Sequence, residues 1–364
     1  MPSYGLILEN QVGSLNKLNI CTSIEFLDTS TLNVETGWER QRPGICGYCV
    51  NEAITVKQEG VRSSLSYSEL FVDVNPCDHG NPFKDPPSNL HSPEEIKMHE
   101  FIDIGKTDRR TSSENDDIVQ KMDAKTVLGR NVAFASELFA RQQRLFCFSI
   151  FVIGSTARLL RWDRSGVVVS RSFDYKSHPE SLRDFLRRFD AATAEQRGYD
   201  PSVTRASLYE EEMFAKRIRE EVAFQLGLDE VTKNAELDEA MSEHYSRGRV
   251  MRMEVYNERL NKYEPFLICK PVQSPTSMAG RATRGYWGVK VDEVGAHKVF
   301  FIKDNWRPTD KALRREEDAY EELNNDTKKI TNVGTMYCGG PQVSMKWIPG
   351  ERDNESVCDV IRTS

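Results

Sequence analysis

No stretch of this chain approaches the roughly 18 consecutive apolar residues that a membrane-crossing helix needs. The longest candidate, Leu145–Ile153, is strand-sized. The start, Met1-Pro-Ser-Tyr-Gly-Leu-Ile-Leu-Glu-Asn10, has neither the basic opening nor the long apolar segment of a signal peptide. An excess of positive charge is also lacking. With 49 Lys and Arg against 56 Asp and Glu, the net charge is −7, so nothing draws the whole surface toward nucleic acid or an acidic membrane. Any polyanion site must be local. Without a secretory signal, the eight cysteines read as reduced thiols of an intracellular protein, in cytoplasm or nucleus. On that reading the sequons at Asn325 and Asn354 carry no meaning. Neither a membrane nor a nucleic-acid partner is expected.

What is present suits a globular protein. A length of 364 residues, 38% hydrophobic and 29% charged, can bury the cores of two domains. Ser68–Val74 alternates Leu70, Val72 and Val74 with Glu69, Phe71 and Asp73, which predicts a strand. Residues 103–120 are polar and read as a mobile loop. Leu145–Ile153 predicts a buried strand, and Asp163-Arg-Ser-Gly166 a hairpin turn. Leu182, Phe185, Leu186 and Phe189 recur at helical spacing, and a second helix spans about 208–226. Residues 228–247 are polar, which places a domain boundary near Ser246. The expected fold class is α+β: an N-terminal mixed α/β domain over 1–246, a sheet with one helix over 247–340, and a divergent, disordered tail over 341–364. A protein partner would engage the N-terminal domain.

The segment after residue 247 carries the sharpest chemistry. Strands at 250–255 and 265–269 lead to Gly280-Arg-Ala282-Thr-Arg-Gly285, a candidate phosphate loop. Phosphates need backbone N–H groups close by, so the loop wants small residues where it folds over them. A strand from Tyr286, the tight turn Gly295-Ala296 and a strand ending in Lys303 follow. A charged helix over 310–323 then carries Glu316. Lys303 can offer charge to phosphates, provided an acidic partner such as Glu316 holds it. Each part alone is weak, since two glycines near an arginine also make an ordinary turn. The ordered combination is the stronger signal.

Gly280-Arg-Ala-Thr-Arg-Gly-Tyr286, Phe301-Ile-Lys-Asp-Asn-Trp-Arg307 and Val333-Gly-Thr-Met-Tyr-Cys-Gly-Gly340 resemble small-lobe segments of the fungal-type protein kinases. Upstream, Ala157-Arg-Leu-Leu-Arg-Trp-Asp-Arg-Ser-Gly166, Phe173-Asp-Tyr175, Gln196-Arg-Gly-Tyr-Asp-Pro201 and Glu69–Val74 with Asp85-Pro-Pro87 resemble the same family. The resemblance runs from about residue 40 to about 340. It implies a Ser/Thr-kinase-like fold that binds ATP and magnesium, with Lys303 and Glu316 as its ion pair. Phosphoryl transfer by such a fold also uses a catalytic-loop Asp with its Asn, and a metal-binding Asp in D-F-G. The 48 residues after Glu316 spell neither motif. Asp28/Asn33 and Asp229/Asn234 have the Asp–Asn spacing but lie upstream without His-Arg. The expectation is a truncated or degenerate kinase, or pseudokinase, inactive as this chain alone. The alternative is a non-catalytic interaction or scaffold protein.

Three other constellations invite readings. Cys46-Gly-Tyr-Cys49 with Cys77 and His79 offers soft zinc ligands, but the second pair is too tight for a shared tetrahedral site, and buried thiols are the plainer reading. Asp73-Val-Asn75 sits where a nuclease-like core would hold a metal, yet no lysine follows, and an ordinary edge strand is expected. Arg141, Arg144, Arg158, Arg161, Arg164 and Arg171, interleaved with Phe146 and Trp162, read as a solvated face.

Overall fold

The computed structural model describes residue 16 and residues 20–30, 43–58, 65–75, 80–87, 89, 92–97, 99–104, 123–228, 235–291, 299–308, 315–325, 335–345 and 354–362. The Gly295-Ala296 turn, Cys77 and His79, Asn33, Asp229/Asn234 and most of the 103–120 loop lie outside these residues. The chain divides into two compact units, residues 1–199 and 200–364.

The first unit is built on one sheet. Its strands are β1 (Ile24–Asp28), β2 (Ile45–Cys49), β3 (Ser68–Asn75), β4 (Phe146–Ile153), β5 (Thr156–Asp163), β6 (Gly166–Val169) and β7 (Phe173–Asp174). The helices are α1 (Val50–Gln58), α2 (Pro93–Lys97), α3 (Ala124–Arg141) and α4 (Glu180–Ala191). Strand order is β1-β2-β3-β4-β5-β6, with β7 on β5; β3 and β4 run parallel and the other pairs antiparallel. A parallel pair requires a crossover, and α3 supplies it.

Alternation along β3 sorts the two faces. Leu70, Val72 and Val74 enter a core with Ile150, Val152 and the Leu186 and Phe189 of α4. Phe71 faces the other way and meets Phe134 of α3 edge-on at 5.7 Å. Thus α3 and α4 cover opposite faces. The strand that carries Asp73-Val-Asn75, expected at the sheet's edge, is instead an interior one: β3 pairs β2 through Ser68–Val72 and β4 through Phe71–Asn75, and is buried throughout.

The second unit contains β8 (Val203–Arg205), α5 (Leu208–Gln225), α6 (Ala235–His244), β9 (Met251–Asn257), β10 (Lys262–Gln273), β11 (Arg284–Lys290), β12 (Val299–Pro308), α7 (Glu316–Asn325), β13 (Thr335–Met345) and β14 (Asn354–Arg362). Its antiparallel sheet has the order β13-β14-β12-β11-β10-β9-β8. The sheet curls until Glu258 N–H reaches Gly339 O at 3.3 Å. Val255, Phe266, Ile268, Tyr286, Phe300, Ile302 and Cys338 fill one side. On the other, Phe214, Ile218, Val222, Leu237 and Met241 of α5 and α6 pack on Leu267, Val289 and Val299.

Two expectations are revised here. Residues 235–244, read as polar linker, form α6, whose Leu237 and Met241 at i, i+4 suffice to seat it. The boundary expected near Ser246 therefore falls inside the second unit, and the division lies at Tyr199/Asp200. Beyond residue 341, expected to be disordered, β14 pairs β12 from Phe300↔Arg362 to Pro308↔Asn354.

Candidate functional site

The glycine segment is the connection between β10 and β11, and β11 pairs β12 so that Gly285 faces Lys303 and Arg284 faces Asp304. Period-2 alternation turns Lys303 away from the core that holds Phe300 and Ile302. Its Nζ lies 2.6 Å from both carboxylate oxygens of Glu316, the first residue of α7. The structure thus brings together the lysine and glutamate that the resemblance implied.

The three small residues differ in what they do. Gly280 has φ +80° and nothing within 4 Å of where a Cβ would sit, so its backbone is accessible. Ala282 holds φ +42°, a left-handed conformation that a Cβ disfavours by about 1 kcal/mol. Gly285 lies in β11, not in the loop, and a Cβ there would meet the Phe301 ring at 2.6 Å. Its smallness serves packing on the strand that carries Lys303.

The residues that fasten the loop escaped sequence reasoning. Trp306 N–H donates to Arg281 O at 2.7 Å. Arg284 donates through Nε to Asp304 Oδ2 at 2.9 Å and again through Nη2, with both side chains buried. Burial alone would disfavour the Arg284 charge, but Asp304, Tyr286 and Asp200 hold the guanidinium firmly protonated. Asp200 is itself raised, first by burial and further by Asp304, against hydrogen bonds from Ser202. The available signal was position: Arg284 and Asp304 each stand one residue from a predicted site residue, in the Lys-Asp-x-Trp-Arg segment and the loop. Arg281, 69% exposed, brings Nη1 to 4.0 Å from Glu316 Oε2.

The first unit resolves the other constellations. Asp73 is buried, and its Oδ2 accepts from Arg130 at 2.8 Å and Asn131 at 2.7 Å. Burial raises its pKa, opposed by those partners. The carboxylate that a nuclease-like core would turn to a metal is instead tied to α3. Cys46 accepts from Thr29, while Cys49 donates to Glu69, so the two thiols take separate partners. Burial, then Glu69, pushes Cys49 up to about 11.

Of the six arginines read as a solvated face, Arg141 and Arg171 are exposed, whereas Arg144, Arg158 and Arg164 are buried and Arg161 partly so. Arg144 is fully buried against Glu69 and lies 3.7 Å from the Tyr199 ring centroid. Arg158 pairs with Asp85 at 2.7 Å, and Arg164 sits over Phe139 at 4.7 Å. Arg161 is 4.0 Å from the Phe146 centroid. Their partners come from distant elements, which no local pattern reveals. Among the described residues, no group of three or more His, Cys, Asp or Glu could hold a metal, and no helix is long and apolar enough to cross a membrane.

A curled antiparallel sheet with a glycine-bearing hairpin, a strand lysine and a helix glutamate defines a protein-kinase-like small lobe within an α+β chain. The family model described as fungal protein kinase matches residues 110–339, well over half the chain, and the chain belongs to that family. The match includes the loop, Lys303 and Glu316, whereas Glu69–Val74 and Asp85-Pro-Pro87 lie ahead of it. No curated protein and no solved structure matches the chain.

Proposed function

We propose that the second unit binds a nucleoside triphosphate, ATP with magnesium, and that a chain of this sequence does not itself transfer the phosphoryl group. The observation that carries the reading is the Lys303–Glu316 pair, with both carboxylate oxygens 2.6 Å from Nζ. A lysine held this way is positioned before any ligand arrives, which lowers the cost of ordering it on binding. Gly280 leaves open space for close backbone approach. Ala282 keeps the loop small beside it, Gly285 lets β11 pack against Phe301 of the lysine-bearing strand, and Lys303 would supply charge to the phosphates. Asp304 and Glu316 are both engaged by cations, so magnesium would arrive with the phosphates rather than be held by them.

The sequence contains neither His-Arg-Asp with its downstream Asn nor Asp-Phe-Gly. A positioned base contributes typically about 10²–10⁴-fold, and the lack of these motifs supports a degenerate kinase without transfer activity of its own. Thermal shift of the full chain tests binding. At magnesium-ATP near 100 times Kd, a stabilisation of about 2.7 kcal/mol is expected, and Lys303→Met should abolish it. No shift in the wild type would favour a scaffold role instead. Labelled phosphate appearing on a protein substrate from purified chain would sink the transfer-deficient reading.

A further inference from the structure

We infer that Arg281 is a second phosphate-binding cation of the glycine loop, one that makes the site prefer a polyphosphate chain over a monophosphate; this rests on the nucleotide-binding reading above. Two cations converge on one carboxylate. Lys303 occupies both oxygens of Glu316 at 2.6 Å, and Arg281 reaches the same group only at 4.0 Å. Among the described residues, Asp304 pairs with Arg284 and Glu258 with Arg315. At this carboxylate two positive charges therefore face one negative charge.

The backbone at Arg281 is fixed while its side chain is not. The carbonyl accepts from Trp306 N–H at 2.7 Å. Positive-φ residues flank it, Gly280 at +80° and Ala282 at +42°. Strain at a non-glycine position persists only where the surroundings enforce it, and such outliers cluster at ligand-gripping segments. The guanidinium, by contrast, is 69% exposed. An exposed pair at this distance adds little stability, so Arg281 can leave Glu316 readily. A guanidinium also fits phosphate oxygens two at a time, which a lysine cannot do. Glu316 then serves two ends: it orients Lys303 permanently and parks Arg281 beside the loop until phosphate replaces it.

Equilibrium binding of ATP, ADP and AMP to the full chain, with magnesium, decides the matter. In the wild type, affinity should fall in that order. Arg281→Ala should weaken ATP about tenfold and leave AMP unchanged, narrowing the ATP-to-AMP ratio by the same factor. Its melting temperature without ligand should match the wild type, and Arg281→Lys should recover part of the ratio. Equal ATP affinity in wild type and Arg281→Ala would overturn this inference alone. So would equal weakening of ATP and AMP. Lys303→Met separates the two readings, since it should weaken ATP whatever Arg281 does. A wild-type chain that binds no nucleotide would overturn both.

Discussion

Gly198 holds φ +99°, and a Cβ there would stand 1.9 Å from the carbonyl oxygen of Phe146. Backbone, not a yielding side chain, fills that space. Gly198→Ala should therefore destabilise the first unit by roughly 3 kcal/mol or more, read by urea unfolding. Its neighbours in the chain are anchored as well. Arg197 donates to Phe189 O at 3.0 Å and Asp190 O at 2.7 Å, while Tyr199 OH donates to Glu69 at 2.9 Å. In the second unit, Arg284 and Asp304 form a buried pair whose disruption leaves a lone charge. Asp304→Leu should cost about 3–5 kcal/mol, whereas replacing both residues with apolar ones should cost much less. A double-mutant cycle by chemical denaturation measures the difference.

At the scale of elements, β12 joins the parts of the candidate site. It carries Lys303, sends Asp304 to Arg284 and holds the loop through Trp306 N–H. Its place between β11 and β14 keeps all three in register. Helix α5 begins with a capping box: Ser207 accepts from Glu210 N–H, and the Glu210 carboxylate accepts from Ser207 N–H. Ser207→Ala should cost about 1 kcal/mol, seen as a lower denaturation midpoint, since α5 seats Phe214 and Ile218 on the sheet. The helix and strands were legible from periodicity, as were the loop and its lysine from their order. The central place of β3 was not. Alternation says which residues share a face but not which strands flank it, and β4, its parallel neighbour, begins more than 70 residues further along.

Over the whole molecule, carboxylates in both units make stability fall in acid. Asp190 would be raised by its partial burial, but hydrogen bonds from Thr22 and Ser23 hold it below the usual carboxylate range. Glu210 is lowered first by Ser207 N–H, against some burial, with Arg252 adding to the effect. A depressed folded-state pKa gives stability that is present above the unfolded pKa and lost as pH falls through the folded one. Through these two groups the melting temperature should thus hold from neutral pH to about 5 and drop below about 4, while Asp73 and Asp200, raised by burial, act in the opposite sense. Asp190→Asn should lower it at neutral pH and flatten its decline in acid. An unchanged pH profile in that variant would count against the assignment.

The chain by itself determined the local elements, the α+β class, and the ordered loop, lysine and glutamate of a kinase-family lobe. These rest on short-range spacing, which backbone geometry imposes directly on sequence. Only the tertiary structure decided that Arg144, Arg158 and Arg164 are internal struts, that Asp73 is tied to Arg130 and Asn131, and that the polar segment before Ser246 is a packed helix. It also decided that Arg284, Asp304 and Trp306 fasten the loop beside Lys303. Buried charges find partners across tens of residues because low dielectric demands compensation wherever the fold supplies it, and such pairings leave no period in the sequence.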